Sequence, residues 1–196
     1  MPSDEDLMAA YVAGDAHAFQ ELFRRYSPLL LRVLKREMSS SEQVRDLVQQ
    51  TFLHLHRSRL DFELGRKLRP WIFTIALNLK REYFRRGKRR RETSLDQEGA
   101  PEPAVAPRGQ ERADAVRELA PALAALPEDQ RQVIELHWFA GLSFPEVAQT
   151  VGASVSAVKV RAHRGYVALR RELGANESTL PGNQDARPGV RELKEP

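Results

Sequence analysis

Thr74, Asn78, Arg81, Arg85 and Lys88 recur at alternating four- and three-residue spacing within RPWIFTIALNLKREYFRRGKRRR, Arg69 to Arg91. On a helix they share one side, and none of them is apolar. These side chains offer hydrogen-bond donors, one amide and a row of permanent positive charges. They suit a phosphate backbone and exposed base edges better than proton transfer or nucleophilic attack. The segment from Asp61 to Glu92 holds 11 Lys/Arg against 4 Asp/Glu, so it carries more than the whole chain's net charge of +4.

A second basic set stands near the end of the described periodicity, in SVSAVKVRAHRGYVALRREL. Val155, Val158, Ala162 and Leu169 are expected to pack inward, with Ser156, Lys159, Arg161, His163 and Arg164 projecting from the amino-terminal half. Ahead of it, Ser143-Phe-Pro-Glu146 has the form of a capping box opening a short helix through Val147, Ala148 and Val151. Gly152 stops that helix and Ser154 caps the long basic one. A short helix, a glycine turn and a long basic helix make a helix-turn-helix, whose second helix meets base edges with its first turns. The planar fork of Arg164 matches guanine. Between the two basic segments, residues 93 to 130 carry −5, so one polyanion gripped at two places is the reading the charge favours.

The elements that must position these residues are all helical. Ser3 caps a short helix carrying Leu7, Met8 and Tyr11, and Gly14 follows it. Asp15 caps the next, with a stripe of Phe19, Leu22, Phe23 and Tyr26; Pro28 marks a break or kink before Leu29, Leu30, Val33 and Leu34. Ser41 caps a third helix in which Val44, Leu47, Val48, Thr51, Phe52 and Leu55 share a side. Trp71, Ile72, Ile75, Ala76, Leu79 and Tyr83 give the buried face of the fourth. Residues 1 to 91 therefore read as one helical domain. Residues 92 to 113 read as a flexible acidic linker, with Gly99, Pro101, Pro103, Pro107 and Gly109 among almost no large apolar residues. A second domain spans 114 to 174: a helix with Val116, Leu119, Ala120 and Leu123, then one opened by Pro127 whose Val133, Ile134, Leu136 and Trp138 supply the core and which Gly141 ends. The tail, 175 to 196, has no periodicity and reads as disordered. The fold class is all-α, two small helical domains on a tether.

The chain has no cysteine, and its acidic, glycine-broken beginning lacks the basic and apolar regions of a secretory signal. No apolar run approaches the ~20 residues of a membrane span. A cytoplasmic protein without membrane insertion is expected. No glycine-rich phosphate loop and no histidine–carboxylate set is present, so an enzyme is not expected. His54 and His56 lie two apart, point to different sides of a helix and make a poor metal pair. No metal and no cofactor is expected.

Taken together, DLVQQTFLHLHR at Asp46 to Arg57, RPWIFTIALNLKREYFRRGKRR, and LPEDQRQVIELHWFAGLSFPEVAQTVGASVSAVKVRAHRGYVALRREL resemble, in the right order and spacing, the extracytoplasmic-function group of bacterial RNA polymerase sigma factors. The resemblance covers residues 5 to 173. It implies that Asp46, Leu47, Gln49, Gln50 and Phe52 meet the coiled-coil clamp of the largest polymerase subunit. It also implies that the loop Leu60 to Leu68 and the helix after it capture a base of the melted strand at the minus-10 element. Lys67, Arg69, Trp71, Thr74, Asn78, Arg81 and Arg85 are the residues for that element, Asn78 suiting a base edge and Arg81 and Arg85 the backbone. Ser156, Lys159, Arg161, His163 and Arg164 are the set for the minus-35 element. Core RNA polymerase, promoter DNA and an anti-sigma protein are the implied partners, with catalysis and Mg²⁺ belonging to the polymerase.

The chain departs from the family at Gln50, where Glu is usual, at Ala157, where Thr is common, and at Val160, where Ser is common, so base preference does not transfer from a relative. Gly165 is a further departure, costing ~1 kcal/mol relative to Ala inside a helix unless it allows a close approach. Two other readings stay open: a helix-turn-helix regulator that occupies duplex DNA without joining polymerase, and a helical adaptor that binds no DNA.

Overall fold

A computed structural model describes residues 1–36, 38, 40–93 and 119–173, with the side chains of 90–93 outside the description. The described residues are helical, with no strand among them: α1 Asp4–Val12, α2 Ala16–Leu34, α3 Ser41–Arg57, α4 Leu68–Thr93, a stretch α5 over 119–124, α6 Glu128–Trp138, α7 Phe144–Val151 and α8 Val155–Glu172. The two-domain, all-helical expectation holds. The proposed linker and tail fall largely outside the described residues.

Local chemistry fixes most helix starts. Ser3 accepts from the Asp6 amide at 3.0 Å while its own amide donates to Asp6 Oδ2 at 3.0 Å, a complete capping box. Asp15 Oδ1 accepts from the His17 amide at 2.8 Å, and Ser154 Oγ from the Ala157 amide at 3.2 Å. The Ser143–Glu146 box is present, and Gly152 sits at φ 68, the left-handed geometry that lets the chain turn from α7 into α8 without a Cβ clash. Two boundaries differ from expectation. Ser40, not Ser41, caps α3, its Oγ accepting from the Gln43 amide at 3.4 Å. Pro28 does not break α2, which runs unbroken from Ala16 to Leu34.

Packing is continuous across the two domains. One apolar cluster runs from Leu7, Met8 and Leu22 through Ile72, Phe73 and Leu77 to Leu142, Val147, Ala148, Val158 and Ala162; a smaller one gathers Ala122, Leu123, Leu126, Ile134 and Leu169. Ala122, rather than the exposed Ala120, turns inward on α5. The buried arc of α4 is wider than one stripe. Phe73 and Leu77 are buried beside Ile72 and Ala76, because α3 and α7 both pack on this helix. At the seam Thr150 Oγ1 donates to Glu146 O at 2.8 Å and lies 3.4 Å from Pro70 O, Arg69 Nη1 lies 3.5 Å from Gly141 O, and the Arg36 guanidinium sits 3.7 Å over the Phe139 ring.

Candidate nucleic-acid interface

The exposed side of α4 carries Asn78, Arg81 and Arg85, as the spacing required. Arg81 Nη1 donates to Asn78 Oδ1 at 3.2 Å, which fixes the amide so that its NH₂ faces away from that bond. Upstream the set divides. Thr74 is half-buried, its hydroxyl donating to Pro70 O at 2.8 Å. Arg69 is half-buried between Asp4, at 3.8 Å, and Gly141 O. Trp71 stacks obliquely on buried Phe62, centroids 5.0 Å apart, and so anchors the loop before α4. Lys67 is exposed, 4.0 Å from Glu5 Oε1, and the same oxygen accepts from the Leu68 amide at 3.2 Å, capping α4 from a distant part of the chain. With Phe62 holding the loop, Leu60 and Leu64 are left 72% and 61% exposed, an apolar rim beside a polar helix.

On α3, Asp46, Gln49 and Gln50 are exposed, whereas Leu47 and Phe52 are buried and support the face from beneath. Leu53 and Phe23, absent from the sequence-derived set, lie open on α3 and α2, Phe23 at 4.6 Å from the Phe52 ring. Leu53 falls off the buried stripe of α3, and an apolar residue at such a position is the signal that would have found it; Phe23, expected within the α2 stripe, instead stands 41% exposed at its edge. His56 is committed to the Tyr11 hydroxyl, 2.5 Å from its Nδ1, and no group of three potential metal ligands occurs among the described residues.

On α8, Ser156, Lys159, His163 and Arg164 are exposed. Arg161 is placed differently from expectation: it turns to the flank of the helix and pairs with Asp129 at 3.2 Å. Val155 is exposed rather than inward, and Trp138 is 46% exposed, its Nε1 donating to Tyr166 Oη at 2.8 Å instead of supplying core. Burial pushes the Tyr166 phenol up. The buried line of α8 is Val158, Ala162, Gly165 and Leu169. Gly165 has a packing reason. A Cβ there would stand 2.5 Å from Ile134 Cδ1 of α6.

Two family descriptions match the chain, Sigma-70 region 2 over residues 22–90 and Sigma-70, region 4 over residues 117–169. RNA polymerase sigma factor CarQ of Myxococcus xanthus is 35% identical over 87% of this chain and 97% of its own. ECF RNA polymerase sigma factor SigM of Mycobacterium tuberculosis is 31% identical over 88% of this chain and 85% of its own. The solved structure of sigma factor RpoE in complex with the anti-sigma factor NepR from Bartonella quintana superposes with a TM-score of 0.67 at 26% identity, covering 81% of this chain and 98% of that one. The region 2 match takes in α4 with its exposed Asn78, Arg81 and Arg85, the region 4 match takes in the α7–α8 pair, and this chain belongs to the ECF RNA polymerase sigma factors.

Proposed function

We propose that this chain joins core RNA polymerase through the exposed Asp46, Gln49 and Gln50, reads the minus-35 element with α8, and stabilises the melted minus-10 strand with Asn78, Arg81 and Arg85. The observation that carries the reading is the pairing of two separate exposed polar and basic helix faces, one on each domain, with an exposed polar face on α3. A duplex-only regulator needs one such reading helix; a protein that holds a melted strand as well needs a second. The chain itself contributes no chemistry. Strand capture lowers the free energy of the open complex, and bond formation belongs to the polymerase. Its place of action is the cytoplasm, with polymerase and promoter. Among the described residues no helix is long and apolar enough to cross a membrane. An anti-sigma protein is the expected regulator, as in the RpoE complex.

Run-off transcription with purified core polymerase on a genomic promoter library tests this. Discrete products that need both proteins support it; specific duplex binding by the chain alone, without any transcript, would hand the role to a conventional regulator. Asp46→Ala with Gln49→Ala should weaken core binding roughly tenfold, the scale of a loss above 1 kcal/mol at an interface. Both side chains are exposed and off the core, so folding is unaffected, and an unchanged affinity for core enzyme would remove α3 from the interface.

A further inference from the structure

The outermost position in the first half of α8 belongs to neither a charged nor a polar residue. Val158 and Ala162 are buried, and Val160, midway between them, lies about 200° round the helix from Val158. The residue is 49% exposed, flanked by the exposed Ser156, Lys159, His163 and Arg164. A β-branched residue gains nothing from that place in the free protein, since half of it stays in water where burial would be favourable. Arg161, the adjacent cation, is drawn to the flank by Asp129 and does not cover it.

Base edges in the major groove are polar except at one point, the C5-methyl group of thymine, and a recognition helix meets those edges with the outermost residues of its first turns. We infer that Val160 is a specificity-determining residue of α8, packing on a thymine methyl in the minus-35 element. The inference rests on the sigma-factor reading of α8 and adds what that reading leaves open, namely which base is preferred and by what contact. Ser156, Lys159, His163 and Arg164 then surround an apolar contact with hydrogen bonds and phosphate grip.

The test uses holoenzyme assembled from the full chain and core polymerase, selecting promoters randomised over the minus-35 element with wild type and with Val160→Ala. Wild type should prefer thymine, on one strand or the other, at one position where Val160→Ala is indifferent, with the rest of the preference intact. Replacing that thymine by deoxyuridine, which lacks only the methyl, should weaken wild-type holoenzyme about 4-fold, the equivalent of ~0.8 kcal/mol for one buried methyl, and leave Val160→Ala unmoved. The deoxyuridine arm needs no variant, so it stands even if the variant folds poorly. No thymine preference, an identical preference in the variant, or indifference of wild type to deoxyuridine overturns the inference while leaving promoter-dependent transcription in place. An unchanged preference together with lost binding of a protein inhibitor would assign Val160 to a protein interface instead. Absence of any promoter-specific product would overturn the sigma-factor reading itself, and this inference with it.

Discussion

Gly165→Val is expected to destabilise the second domain by about 1 to 3 kcal/mol, the usual cost of forcing extra methyl groups into a filled core. In a small domain that lowers Tm by roughly 4 to 8 °C for each kcal/mol. The cause is geometric. A Cβ at this position already meets Ile134 Cδ1 at 2.5 Å and Gln130 Cβ at 3.5 Å, and the branches of valine have nowhere to go between α8 and a buried Ile134. Alanine is a subtler case, because only the terminal methyl of Ile134 has to turn aside and the helix gains ~1 kcal/mol in propensity. Ile134→Val removes that methyl at a cost of ~0.5 to 1.5 kcal/mol. Gly165→Ala added to Ile134→Val should therefore be no less stable than Ile134→Val alone, a coupling that thermal unfolding of the four proteins would expose. An unchanged Tm for Gly165→Val would show that the helices part freely there, and the packing explanation would be lost.

Asp4→Ala should cost about 1 to 3 kcal/mol in the first domain, more than the ~0 to 1 expected of a surface ion pair. Asp4 Oδ2 accepts from the hydroxyl of Tyr26 at 2.6 Å, and Tyr26 is 1% exposed, so truncation strands a donor that water barely reaches. The same carboxylate meets Arg25 at 2.9 Å and Arg69 at 3.8 Å, so it ties α1 to α2 and to the first turn of α4. Tyr26→Phe in the Asp4→Ala background removes the stranded donor and should recover part of the loss; chemical denaturation of the single and double variants measures it. If the double variant is as unstable as the sum of the singles, the hydrogen bond is not what Asp4 contributes. Burial first, and Asp4 beside it, hold the Tyr26 phenol well above its ordinary value. A raised phenol stabilises the fold through its protonated form, so this contribution is complete below about pH 10 and fades as pH rises beyond it.

Features set by near neighbours in the chain were legible in the sequence. The caps at Ser3, Asp15 and Ser154, the box at Ser143 and the turn at Gly152 all stand where residue type and spacing put them. Features set by contacts between distant residues were not. Trp138 looks like core by hydrophobicity, but its indole N–H finds Tyr166 at the surface. Arg161 has the chemistry of a DNA contact, but Asp129, far back in the sequence, claims it. One periodic stripe on α4 does not reveal that Phe73 and Leu77 are buried too, because that depends on α3 and α7 both packing against this helix. On α3, periodicity identified Leu47 and Phe52 as stripe members, and their burial follows from it; which neighbours present themselves outward is the complementary reading, and it leaves Leu53 on the open side.

The seam at Pro70 and Thr150 makes affinity conditional. A partner that requires the first turn of α4 uncovered meets only the fraction of molecules in which α7 stands away, and its apparent dissociation constant rises by the reciprocal of that fraction. Each ~1.4 kcal/mol holding the seam shut weakens such a partner tenfold, while a partner confined to the outer side of α3 feels none of it. The Arg36 guanidinium over the Phe139 ring is one of the contacts whose removal would lower that penalty.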